Sequence, residues 1–249
     1  MTTPAEVTSR LAEAVAGAGS GAPLADRLGE TCRSLLGADG VALVLAYTQP
    51  QRLAVCVTDE VIGRVENLQD VLGEGPGVDA YRSGCAVVGR IGDADAEVAW
   101  PLFAEAALRE AGPLTVVAVP VPAGAEVLGV LTAYRAGPGH PAPEDDLTAH
   151  LAAAVGVTLL RDVDFGRDLE LDLAGPGGAP TGVWAARAEV HQATGFLVAR
   201  LGLSPDDALA LLRARAYAAG LTLGEVAHQV LVRAVDLAPD GNGSRPPTC

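Results

Sequence analysis

Apolar positions recur with a helical period over residues 4–17 and again over 22–36. In the second stretch Leu24, Leu28, Cys32 and Leu35 share one face, and Gly37 marks the stop. The period then changes. Residues 41–47 (VALVLAY) are apolar and β-branched, and 52–58 (RLAVCVT) follow across a Thr-Gln-Pro-Gln turn, which predicts a hairpin. Residues 59–72 return to helical spacing through Val61, Val65, Leu68 and Leu72. A short strand at 86–91, a helix near 101–110 and strands at 114–121 and 127–135 complete the pattern. Pro120 and Pro122 lack the N–H that a ladder needs, so they place the first of these last strands at a sheet edge or fall at its end.

A long helix is predicted from Pro143 to Leu173, opening on Glu144, Asp145 and Asp146, where the positive end of the helix dipole favours carboxylates. It is far longer than a typical globular helix of roughly 11–12 residues, which suits a connecting or dimerising element. The Gly/Pro-rich segment at 174–180 breaks it and reads as a linker. Three helices follow. The first, 182–201, carries Val190, Thr194, Leu197, Val198 and Leu201 on one face. The second opens on Ser204-Pro205-Asp206-Asp207 and the third on Thr222-Leu223-Gly224-Glu225, both with capping-box spacing. Leu203 and Leu221 precede the caps as staples, and Gly220 ends the second helix. The tail from Pro239 is expected to be disordered. The predicted organisation is an N-terminal helix (1–21), a mixed domain (22–160), the connecting-helix end and linker (161–182), a three-helix domain (183–237) and a tail (238–249).

Charge refines this division. The 249 residues carry 17 basic and 31 acidic side chains, a net −14, and every basic residue is arginine. Without lysine there is no Schiff-base chemistry and no Walker-type phosphate loop. The acidity sits in residues 1–182, whereas residues 183–237 hold 5 arginines against 5 acids. Bulk charge therefore argues against nucleic acid or anionic membrane for the first part of the chain only. A composition 49% hydrophobic and 19% charged is globular.

The start of the chain has no apolar run of signal-peptide type, and the longest nearly apolar stretch, 151–160, is well short of the ~18 residues that span a bilayer. Cys32, Cys56, Cys85 and Cys249 are scattered without a C-x-x-C pair, as in reduced cytosolic proteins, so a cytoplasmic location is expected. No catalytic or metal-ligand spacing occurs around His140, His150, His191 or His228, and neither an enzyme activity nor a metal is expected. Cys85 is read as a small buried residue opening a strand, in preference to a reactive thiol. The glycine-rich run LGEGPG before residues 78–84 reads as a structural turn that can also line a pocket. Tyr47, Tyr81, Trp100 and Phe103 are the candidates for a ligand cavity, because aromatics are scarce here (4%) and Tyr and Trp suit a pocket with one polar end. Core packing explains them equally well. In the C-terminal helices, Arg213, Arg215 and Tyr217 combine guanidinium groups with an aromatic, a set that holds phosphates and stacks unpaired bases. His191 and Thr194 offer hydrogen bonds beside Gly195, whose mid-helix position suggests close approach by another helix or a ligand.

These residues carry a resemblance. Residues 183–237, through Ala193-x-Gly195, Leu201-Gly202-Leu203-Ser204, Ala208, Leu212, Tyr217-Ala218, Leu223 and Val226-Ala227, resemble an ANTAR domain, a three-helix RNA-binding module of transcription antiterminators. Residues 22–160, through ADGVALVLAY, LGEGPG, WPLFAEAALREAG, VVAVPVP, VLGVLTAYR and PAPEDDL, resemble a GAF domain. Together they resemble the GAF–ANTAR regulators of high-GC actinobacteria. The resemblance implies an α+β domain with an antiparallel sheet flanked by helices, a long connecting helix and an all-α three-helix domain. It implies a homodimer in which the first domain senses an unidentified small molecule or partner and the helices bind a nascent-RNA hairpin overlapping a terminator. The RNA face would include His191, Thr194, Gly195, Arg213, Arg215 and Tyr217, with Ala193 packed beneath. Many members have lysine where this chain has Thr194, which removes one phosphate contact. Two alternatives stand beside this reading: a protein-interaction or dimerisation module without RNA, and a GAF-type thiol reductase using Cys56 or Cys85.

Overall fold

In a computed structural model, the structure describes residues 3–17, 22–46, 52–124, 126–137, 145–161 and 183–233. Two helices come first, α1 (Pro4–Ala16) and α2 (Leu24–Leu36), then strands β1 (Gly40–Leu45) and β2 (Leu53–Val57). Next are α3 (Glu60–Leu72), α4 (Pro76–Ser83), β3 (Val87–Ile91), α5 (Ala94–Ala99), α6 (Pro101–Ala111), β4 (Leu114–Ala123), β5 (Glu126–Ala136) and α7 (Asp145–Arg161). Helices α8 (Val183–Leu201), α9 (Pro205–Ala219) and α10 (Leu223–Leu231) close the described chain. The predicted continuation of the connecting helix to residue 173, the linker at 174–180 and the tail from 239 lie outside the described residues. Helix α5 was not expected, because six residues are too few to display a period.

The five strands form one antiparallel sheet in the order β2-β1-β5-β4-β3. The expected β1–β2 hairpin pair is present, with an irregularity between Leu43 and Val44. β1 is buried on both faces, so its side chains feed two cores. Val41, Leu43, Leu45, Val117, Val119, Val121, Leu131 and Ala133 face α1, α2 and α7. Ala42, Val116 and Tyr134 face α3, α5 and α6, while Val44, Ala118 and Val130 face α4. This is the period-2 alternation of strands sandwiched between helical layers. The prolines sit as expected: β3 pairs β4 only as far as Ala118, so Pro120 and Pro122 fall where β5 is the remaining partner.

Two close approaches fix the helices on the sheet. A Cβ at Gly156 of α7 would stand 2.7 Å from the Pro122 carbonyl oxygen, and one at Gly29 of α2 would collide with the Cys56 sulfur. Both helices therefore lie closer to the sheet than any side chain permits. Among the described residues no helix is long and apolar enough to cross a membrane.

Candidate nucleic-acid interface

Helices α8–α10 have a core of their own. Val190, Ala193, Leu197, Ala208, Leu212, Ala216, Leu223, Val226, Ala227 and Val230 are buried together, with Phe196, Val198, Leu201, Leu203 and Leu221 packed around them. The turns follow the sequence closely. Ser204 Oγ accepts from Asp207 N at 3.1 Å, Gly220 adopts the left-handed conformation (φ 64°), and Thr222 and Glu225 complete a capping box. Each such cap stabilises its helix by about 0.5–2 kcal/mol. His228 Nδ1 meets Glu189 Oε1 at 2.9 Å and ties α10 to α8.

The six residues predicted for RNA divide into groups. His191 and Gly195 on α8 and Arg215 on α9 are exposed. Gly195 has open space around it: a Cβ there would meet nothing within 4 Å, so of the two expected causes, a neighbouring helix or a ligand, helix packing does not explain this glycine. Thr194 is half-buried and its hydroxyl donates to the Val190 carbonyl at 2.7 Å, so its proton is committed within the helix. Arg213 and Tyr217 share a face of α9, as their i, i+4 spacing requires, and that face turns toward the first domain. Arg215, two residues on, points to the other side.

Docking of the two domains runs through α3. Val71 of α3 is buried in the core of the C-terminal helices. Tyr217 stands beside the Arg109 side chain of α6, and their interaction raises the pKa of that guanidinium. Between α3, α4 and α9 lies a cavity of about 370 Å³, lined by Arg52, Gln69, Asp70, Leu72, Gly73, Val78, Tyr81, Arg82, Asp206, Leu209 and Arg213. Its floor is a buried network. Arg52 pairs with Glu66, both nearly inaccessible (7% and 3% exposed), and lies 3.6 Å from Asp70. Glu66 Oε1 accepts from Gln69 Nε2 at 3.0 Å, and Gln69 Oε1 accepts from Gly77 N at 2.6 Å. On the α9 wall, burial lowers the pKa of Arg213; Asp70 opposes that and the neighbouring Arg52 and Arg82 reinforce it. Its Nε is buried without a hydrogen-bond partner among the described residues. Asp70, Arg82 and Val71 were not anticipated from the sequence. The available signal was Val71, an apolar residue off the Val61, Val65, Leu68, Leu72 stripe.

The predicted aromatic cavity is not assembled as one site. Tyr47 lies outside the described residues. Tyr81 lines the interdomain cavity, which neither Trp100 nor Phe103 reaches. Phe103 is fully buried, in edge-to-face contact with Trp100 at 6.5 Å, among the side chains beneath α3 and α6. The Trp100 indole donates to Asp79 Oδ2 at 2.9 Å. Core packing, the other reading of this pair, describes what they do. The LGEGPG turn is structural. Gly75 (φ 131°) has a conformation and a neighbour, Gln69, that exclude a side chain, and Glu74 Oε1 accepts from Phe103 N at 2.8 Å at the start of α6. The same turn contributes Leu72 and Gly73 to the cavity wall.

Cys85 is exposed, not buried: it follows the turn that ends α4 and precedes β3 at the rim of the sheet. Cys32 and Cys56 are buried, and burial pushes both thiols up to about 12, which leaves almost no thiolate at neutral pH. Among the described residues no cluster of His, Cys, Asp or Glu has the arrangement of a metal site.

Comparison with known proteins follows the same division. The family model described as GAF domain matches residues 22–159, and the one described as ANTAR domain matches residues 184–231. Among solved structures the chain is similar to the GAF domain of A. aeolicus nlh2 in an inactive state, at 13% identity and a TM-score of 0.42, covering 64% of this chain and 97% of that one. No curated protein matches.

Proposed function

The chain belongs to the GAF domain family and carries an ANTAR domain, and from this we propose that it is a signal-responsive transcription antitermination regulator. In this reading helices α8–α10 bind a nascent-RNA hairpin, the first domain senses a small molecule or partner, and the protein works as a cytoplasmic homodimer. The observation that carries the reading is the match of an RNA-binding module to residues 184–231, a unit with its own core and caps. Arg213 and Tyr217 supply phosphate contact and base stacking, and His191, Gly195 and Arg215 extend the face around the domain. Because Arg213 faces α3 when docked, its full contact with RNA requires the helices to separate from α3, whereas Tyr217 is already exposed.

The test is binding of the full chain to hairpin RNA with unpaired loop bases, measured across salt concentrations. The Arg213→Ala, Tyr217→Ala double variant is expected to lose at least tenfold in affinity and to show a shallower salt dependence. Equal binding by the double variant would remove this face from the proposal.

Two observations favour the second reading, an interaction module without RNA. The face bearing Arg213 and Tyr217 already has a protein partner in α3 and α6, and the Thr194 hydroxyl is spent inside α8. Crosslinking in cells that recovers no enriched transcript would select it.

A further inference from the structure

We propose that helices α5 and α6 present a docking groove for a basic amphipathic helix of a partner protein. Helix α6 meets its own packing needs on one face, where Phe103, Ala104, Ala106 and Ala107 are buried. Leu102 and Leu108 lie off that face and remain exposed. Val98 of α5 is 84% exposed, the most of any large apolar side chain among the described residues, and Leu102 is 52% exposed. With Tyr217, which stands beside Arg109 of α6, these make four of the eight exposed large apolar side chains described. Single apolar residues scattered over a surface need no explanation, whereas a cluster marks a contact. A groove of about 410 Å³ runs beside them, with Gly92, Pro101, Ala104 and Leu108 as its apolar part and Glu97, Glu105 and Arg109 as its polar part. From Pro101 to Leu108 it follows α6 for about two turns, the length over which a docked helix sets anchors at i, i+3 or i+4, and i+7.

Charge selects the occupant. The exposed carboxylates of this surface are Asp93, Asp95, Glu97, Glu105 and Glu110, and its exposed cations are Arg90 and Arg109, five against two. Arg109 is engaged within the protein by Tyr217 and Glu110. The excess is negative, which opposes an anionic membrane and also a second copy set face to face in a two-fold contact, where like charges meet. The longer stretches of this chain outside the described residues are acidic too: 162–182 holds 1 arginine against 5 acids and 234–249 holds 1 against 2. A separate chain with apolar anchors flanked by lysine or arginine complements both the groove and its rim. This names the kind of partner for the sensing role proposed above and rests on that reading only for its consequence. The docking surface stands whether or not the protein binds RNA.

The experiment is fluorescence anisotropy of the full chain with a labelled leucine–lysine peptide, about fifteen residues long, whose leucines fall on one helical face. A scrambled peptide of the same composition, without such a face, is the control for the chain's net charge of −14. The amphipathic peptide is expected to bind saturably, one to one, and at least tenfold more tightly than the scrambled one. The Val98→Ser, Leu102→Ser double variant should weaken it at least tenfold. The Glu97→Gln, Glu105→Gln double variant should weaken it at least threefold and flatten its salt dependence. All four side chains are exposed, so the fold should survive, with unchanged circular dichroism. The Glu13→Gln, Val15→Ser double variant, on the exposed side of α1, should leave binding unchanged. Equal binding of the two peptides, or binding indifferent to both α5–α6 variants, overturns the proposal. So does sedimentation in which Val98→Ser, Leu102→Ser converts a dimer to a monomer, since a second copy would then be what covers the groove.

Discussion

A terminal nitrogen of Arg213 stands 3.8 Å from the point where a Cβ on Gly73 would lie, so a cation of α9 rests at the carbonyl end of α3. The negative end of the α3 dipole favours it there, while burial opposes it. Val71, two residues earlier on α3, enters the core of the C-terminal helices, so one helix end supplies both the polar and the apolar parts of the docking contact.

Val71→Asp is expected to undock the domains without unfolding them. The charge cannot be buried in that core, but the ten other core residues come from α8–α10 alone. Small-angle scattering should show a larger radius of gyration with unchanged helical circular dichroism. An unchanged radius would show that Val71 does not hold the domains together.

Two mid-helix glycines should respond to alanine with opposite signs. Gly156→Ala meets the Pro122 carbonyl and should cost about 1–3 kcal/mol as overpacking. Gly195→Ala meets nothing and should gain up to about 1 kcal/mol from helix propensity. Urea denaturation measures both. If Gly195 admits an RNA backbone, the same alanine lowers RNA affinity while raising stability, a combination that a purely structural role would not produce.

Alkaline pH should destabilise the fold. The thiols of Cys32 and Cys56 and the Tyr134 phenol are each pushed up to about 12, the thiols and phenol chiefly by burial. Unfolded, they titrate near about 8.5 and 10. Between those values and 12 the native state keeps protons that the unfolded state releases, so stability is complete below about pH 8 and falls as pH rises toward 12. Melting temperatures from pH 7 to 11 should trace this decline, and Cys56→Ala should make it shallower. A melting temperature constant to pH 11 would contradict it.

Asp79→Ala removes the acceptor for the Trp100 indole and should cost about 1–3 kcal/mol, the penalty for a buried donor left unmade. Asp79→Asn keeps an acceptor oxygen and should cost less. The ordering Ala worse than Asn, read from urea midpoints, is the check.

Much of the fold was readable locally. The apolar, β-branched run of β1, the helical stripes of α2 and α3, the Ser204 and Thr222 caps and the stop at Gly220 are each written within a few consecutive residues, because backbone geometry sets those patterns and caps. The site was readable less evenly. Arg213 and Tyr217 were legible as a pair from their spacing, while Ala193 beneath the face was an implication of the family resemblance alone. Trp100 and Phe103 were not separable into cavity or core, since composition alone does not say whether an aromatic packs against a sheet or lines a void.

By itself the sequence determined the secondary elements other than α5, the division into a sheet domain and a three-helix domain, and the uneven distribution of charge, all of which depend on neighbours in the chain. Only the tertiary structure decided that Arg213 faces Arg82 and Asp70 across a cavity, that Val71 belongs to the core of the other domain, and that Cys85 is exposed. Those facts depend on which helix faces pack together. Contacts between residues more than a hundred positions apart, such as Val71 and the α8–α10 core, leave no period in the sequence; packing at close range alone brings them together.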